Sequence, residues 1–303
     1  MTRMPFAAVL LLLPASTAIS AREKSTPFIV PERLRTSGSV EGHAASFAVL
    51  PDAPSVPILG PDLVRRAGFS GGLFGAQGRI GPVRISGKTG VHGFSLAGLA
   101  FKRRAVWFDR ALGADPASSA DVVLGPGSFP ADPIRWRLPQ APTARSRAYE
   151  LPLLSLNGDG FATVIDVAGQ RLPVQFSLTR DDNLATAQAA ALLSSAFGGR
   201  FRGDPVIAPV RLGVSRPVRR LTLDRKVDVG PIAIDNLLIR TTDYGSTASI
   251  PGEEDPNEIV VVGSKKGGTK SISRLVLGRG ALARCSELLM DGRRHIIVLT
   301  CGA

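Results

Sequence analysis

Histidine and cysteine, the side chains most often recruited for catalysis and metal binding, are scarce in this chain and poorly spaced for either task. His43, His92 and His295 show no metal-ligand spacing, so each reads as a surface or satisfied core residue and no metal site is expected. Gly93-Phe94-Ser95-Leu96-Ala97-Gly98 sets a serine between glycines. It carries an extra residue relative to a nucleophile elbow, and its strand-rich surroundings lack the strand-to-helix turn that would expose the hydroxyl. Gly71-Gly72 and the stretch from Gly75 to Gly81 lack the lysine and helix of a phosphate loop and read as a flexible hairpin, so no cofactor is expected either. Cys285 and Cys301 flank two runs, Ser286 to Met290 and His295 to Leu299, that can pair around Asp291-Gly292 and bring the cysteines close. In an oxidising compartment the bond would contribute about 3 kcal/mol on the chain-entropy model.

The elements that would have to position any site recur along the chain. Val122-Val123-Leu124-Gly125 is matched by Leu275-Val276-Leu277-Gly278, an apolar strand running into a Gly-x-Gly turn in both places. Upstream, Gly81-Pro82-Val83-Arg84-Ile85 is echoed by Ala208-Pro209-Val210-Arg211-Leu212, and Val40-Glu41-Gly42-His43 by Val167-Ala168-Gly169-Gln170. Three matches in one order point to a duplicated β-rich unit, which puts a functional site at the junction of the two halves. Short runs such as Ser46 to Leu50, Ala105 to Phe108, Val174 to Leu178 and Leu237 to Thr241, punctuated by Gly, Pro and Asp, predict strands. Helices are predicted only at Pro61 to Ala67 and at Ala185 to Phe197, each followed by glycine.

The ends and the charge bound the setting. Arg3, an apolar run from Phe6 to Leu13 and small residues at Ser16 and Ala18 fit a cleavable signal peptide over 1–21, the alternative being a retained anchor. The run is too short to span a bilayer, so a periplasmic or secreted protein without an integral membrane span is expected. The formal net charge of +12 comes mainly from dispersed arginine pairs such as Arg65-Arg66 and Arg219-Arg220. Without stacking aromatics or a basic helix this argues against nucleic acid; a solvated basic surface is expected, with anionic envelope polymers or lipid headgroups as the partners such a compartment offers.

A strand, a tight loop, a small helix ending in Ala-Gly-Phe, further strands and an apolar-apolar-Gly turn follow one another here in the order found in aspartic peptidase lobes. On Pro61 to Phe69, the glycine turns at Gly125 and Gly278 and the closing hairpin Arg284 to Leu299, the chain resembles a bacterial member of the pepsin/retropepsin-like superfamily with two lobes fused. The resemblance implies a mostly β protein of two duplicated aspartic-peptidase-like β-barrel lobes with short helices and an inter-lobe cleft. The lobes would cover 29–139 and 146–303, the second with an insertion at 246–270, and the hairpin at Gly75 to Gly81 would match the family's flap.

That family carries Asp-Thr/Ser-Gly in each lobe: two carboxylates share one proton and hold a water, the hydroxyl locks the paired loops, and glycine permits the tight approach. Counting back from Gly68 puts the first motif on Pro51-Asp52-Ala53, or on Asp52-Ala53-Pro54 with a one-residue deletion. The count from Leu184-Ala185-Thr186 puts the second on Ser177-Leu178-Thr179, with no acid, Asp181 and Asp182 lying farther along. The resemblance therefore implies a catalytically degenerate fold that binds an extended peptide or protein segment in its cleft as an envelope binding or scaffolding module. The alternative is an active aspartic endopeptidase that uses displaced acids, Asp52 with Asp181 or Asp182.

Overall fold

The structure, a computed structural model, describes residues 26–32, 34–72, 75–108, 119–252 and 272–302. The signal segment 1–21 and most of the 246–270 insertion lie outside the described residues. In chain order the first half runs β1 (Phe28–Val30), β2 (Arg35–Val40), β3 (His43–Val49), β4 (Ile58–Leu59), α1 (Pro61–Ala67), β5 (Gly75–Ile80), β6 (Val83–Leu96), β7 (Leu99–Phe108), β8 (Val122–Leu124) and β9 (Ile134–Arg137). The second half runs β10 (Arg147–Pro152), β11 (Leu154–Ser155), β12 (Phe161–Val167), β13 (Gln170–Phe176), β14 (Leu184–Thr186), α2 (Ala187–Phe197), β15 (Arg200–Arg211), β16 (Val214–Val229), β17 (Ile232–Arg240), β18 (Leu275–Leu277), β19 (Cys285–Asp291) and β20 (Ile296–Cys301). The molecule is mostly β, as the strand-like spacing predicted, and the two predicted helices are both present. α1 begins on a proline and ends on Gly68 in the left-handed region at φ 66°. The second helix starts two residues later than its small-residue run suggested, because Ala185 and Thr186 belong to β14 and Thr186 caps the helix by accepting from the Ala189 N–H.

The same pairing order occurs in two sheets. One runs β2-β3-β8-β4-β7-β6-β5 and the other β11-β12-β13-β18-β14-β17-β16-β15, so from β12 onward each strand of the second has a counterpart in the first. In both, a strand leading into a loop pairs parallel with a short central strand, Phe47 with Val122 and Val174 with Leu275. Two of the three sequence echoes align in register: the turns Glu41-Gly42 and Ala168-Gly169 each take positive φ at both positions, which closes a two-residue hairpin. The third does not. Ile80 pairs with Val83 across Gly81-Pro82, and Arg211 pairs with Val214 across Leu212-Gly213, so the counterpart of Gly81 is Leu212 and not Ala208. A shared Pro-Val-Arg had drawn the sequence match four residues out of step.

A third sheet, β1-β9-β19-β20-β10, takes two strands from the first half and three from the second. Its seam is the antiparallel pair β9 and β19, where Trp136 faces Leu288. Trp136 is wholly buried, and its Nε1–H donates to the Val49 carbonyl at 2.9 Å, tying this sheet to the strand β3 that precedes Asp52. One apolar cluster runs through both halves, from Val40 and Phe47 to Leu275 and Leu299, so the halves share a core. Cys285 and Cys301 face each other across β19 and β20 with their sulfurs at bonding distance. Among the described residues no helix is long and apolar enough to cross a membrane.

Candidate functional site

Two loops meet where the halves join. The first leaves β3 and carries Pro51, Asp52 and Ala53; the Leu50 N–H donates to the Leu124 carbonyl at 2.9 Å as the chain turns away. The second leaves β13 and carries Ser177 to Asp182, with the Ser177 N–H donating to the Leu277 carbonyl at 2.8 Å. The glycine turns explain themselves here. A Cβ on Gly125 would collide with the Ala53 and Pro54 carbonyls, and one on Gly278 with those of Asp181 and Asp182, so each loop rests on a glycine of the neighbouring strand. These contacts set the alignment: Leu50 corresponds to Ser177, which puts Thr179 opposite Asp52, and the second loop reaches its glycine one residue later than the first.

Asp52 is thereby brought to the junction, where the hydroxyl of Ser177 acts on its carboxyl. Burial pushes the Asp52 carboxyl above the ordinary aspartate value, against the opposing pull of Ser177 and of the charges on Arg180 and Arg211. Ser177 is fully buried and its Oγ is also 3.2 Å from Thr179 Oγ1. Asp181 and Asp182 point elsewhere. Asp181 is bonded to Arg279 at 2.7 Å with its side chain 76 % exposed, and Asp182 stands 3.7 Å from Arg220 on the surface. Neither lines the cavity that Asp52 lines.

That cavity, about 260 Å³, lies between the loops and under two hairpin tips. Its walls are apolar at Leu50, Ile58, Val123, Leu184 and Val276, and its polar lining is rich in arginine. Asp159, from the turn before β12, receives Arg211 at 3.1 Å and Arg274 at 3.0 Å. Burial would raise the Asp159 pKa, but the two guanidiniums outweigh it and hold the carboxyl below the usual range. Arg180 donates to the carbonyls of Pro209 at 2.9 Å and Val210 at 3.3 Å, clasping the β15–β16 hairpin from below.

The hairpin tips cross from one half to the other. Val210, Leu212 and buried Val214 of the β15–β16 tip pack with Leu50, Ile58, Ile80 and Val123, so the second half lays its own strand end against the first half's wall of the cleft. The β5–β6 tip is fastened in the opposite sense: the Tyr244 hydroxyl donates to the Arg79 carbonyl at 2.8 Å and accepts from the Gly81 N–H at 3.1 Å. Beneath that tip, Asp243 is fully buried and bonded by Arg216 and Arg240. Burial alone would raise its pKa; the hydrogen bonds and charges of those arginines bring it below the ordinary value.

Sequence reading led to Asp52, Ser177, Thr179 and the two glycines, and missed Asp159, Arg211, Arg274 and Tyr244. Asp159 falls in none of the motifs singled out in the sequence, and the arginines read as dispersed surface charge. Their convergence depends on the fold, although the echo containing Arg211 marked a hairpin worth following. The histidines lie away from the cavity: His92 packs on Phe69 at 4.5 Å, where burial lowers its pKa against the pull of Glu41, and His43 and His295 are exposed. Ser95 sits exposed within β6, opposite Ala100. Among the described residues no group of three or more His, Cys, Asp or Glu is placed to hold a metal ion. Neither a scan against protein-family models nor a search of curated proteins finds a match to this chain.

Proposed function

We propose that this chain is an exported, two-lobed protein of the aspartic-peptidase-like type that has lost the acid dyad and binds an extended peptide or protein segment in the cleft between its lobes. The observation that carries the reading is the partner of Asp52. Two equivalent loops meet at the junction, as the family's do, but the carboxyl of one faces the hydroxyl of Ser177 and not a second carboxyl. A lone acid with a serine has nothing to share its proton with, so it cannot hold a water as base while a partner acts as acid. The recurrence of strand order in the two sheets supports the duplicated-lobe part of the reading, and the surface pairings of Asp181 and Asp182 weigh against displaced acids. Binding would use the hairpin ends at Arg79-Ile80 and Leu212-Gly213, which line the cavity and belong to the outermost strand pairs of their sheets.

The test is direct. Purified protein should not cleave unfolded protein substrates at acid or neutral pH, and a pepstatin-like mimic, which draws its affinity from paired acids, should bind poorly. Extended peptides should protect the amides of both tips from exchange. Pepstatin-sensitive cleavage that Asp52→Asn abolishes would replace this reading with an active endopeptidase.

A further inference from the structure

Resting on the peptide-binding reading, we propose that the cavity beside Asp52 recognises a carboxylate of the bound segment, either an acidic side chain or its C-terminus. Two guanidiniums, Arg211 and Arg274, share the single carboxylate of Asp159 at the cavity wall. The Arg274 side chain is only 16 % exposed, and its Nε–H is buried without a hydrogen-bond partner. A carboxylate entering the cavity would meet the accessible part of these guanidiniums and balance two positive charges that share one negative one. The planar guanidinium fork suits a carboxylate in particular.

The surroundings favour this ligand over others. Leu50, Ile58, Val123 and Val276 make the walls apolar, which strengthens an ion pair formed against them. A volume of about 260 Å³ admits one side chain or one chain end and is below the usual range for larger ligands. Burial holds the Asp52 carboxyl above its ordinary pKa, so it repels an incoming carboxylate less than a free aspartate would.

Three fluorescent decapeptides of otherwise equal sequence, titrated against the full chain by anisotropy, separate the outcomes. One is amidated with a central glutamate, one is amidated with glutamine in its place, and one carries the glutamine and a free C-terminus. The expected result is that either the glutamate peptide or the free-terminus peptide binds about tenfold or more tightly than the amidated glutamine peptide, naming the source of the carboxylate. In Arg274→Gln the preference should fall to about twofold or less, with the melting curve checking that the variant is folded; Arg211→Gln serves the same purpose should it not fold. Equal binding of all three overturns the carboxylate proposal and leaves peptide binding standing. Binding of none overturns both.

Discussion

Asp52, half-buried, and Asp243, fully buried, are acids with opposite consequences. Asp52 is pushed above its ordinary pKa, so at low pH, where it is protonated in both states, it contributes no penalty. As pH rises from the ordinary aspartate value through the raised one, the unfolded chain loses its proton first and stability falls. Asp52→Asn should therefore gain stability over the parent as pH rises from 3 to 7 in urea unfolding; a difference that does not change with pH would show that its burial is not felt. Asp243 runs the other way. Its pKa is depressed, so its contribution is whole above the ordinary value and fades as pH falls through the depressed one. Asp243→Ala would leave Arg216 and Arg240 without their buried partner, and should cost about 3 to 5 kcal/mol at pH 7 by chemical denaturation. Loss of less than about 1 kcal/mol would mean that the arginines find other acceptors or water.

At the scale of elements, the two hairpin tips are held by different forces. The β5–β6 tip depends on one phenol: Tyr244→Phe deletes a bond given to Arg79 and one received from Gly81. It should cost about 1 to 2 kcal/mol and should raise the exchange rate of the Gly81 amide measured by NMR. Unchanged exchange would mean that packing alone fixes the tip. The β15–β16 tip depends on apolar contact beside the hydrogen bonds from Arg180, since Val210, Leu212 and Val214 pack against the first sheet. Leu212→Asp puts a charge into that contact and should open the tip to limited proteolysis while the β16–β17 pairing stays protected. The existence and type of most elements, α1 with its glycine cap among them, were legible from apolar spacing and turn residues because those rules are local. Strand lengths were not: β6 and β16 run far beyond their apolar stretches, through polar residues that register across the hairpin holds in place.

For the molecule as a whole, the third sheet decides whether the halves are separable. β9 from the first half pairs with β19 from the second, and the apolar cluster is continuous across them. The connection from Gln140 to Arg145 is exposed. A nick there should leave two fragments that co-elute on gel filtration and separate only on a denaturing gel, with no covalent help, since both cysteines lie in the second fragment. Spontaneous separation of the nicked halves would show that the shared core is too weak to join them. Reduction of Cys285 and Cys301, which close a separation of 16 residues, should cost about 3 kcal/mol on the chain-entropy model.

The chain by itself determined the strand-rich class, the two helices, a closing hairpin that brings the cysteines near each other and the recurrence of Gly125 in Gly278. Each follows from neighbours within a few residues, or from a repeat that needs no geometry to be noticed. It also singled out Asp52, Ser177 and Thr179 as residues to examine. Only the tertiary structure decided that Ser177 is the group facing Asp52, that Asp181 and Asp182 turn outward to Arg279 and Arg220, and that Asp159, Arg211 and Arg274 converge on one cavity. The reason is that a one-residue difference in loop length turns a side chain from the cleft to the solvent. Such a difference is set by where each loop meets its glycine on a strand about seventy to a hundred residues away.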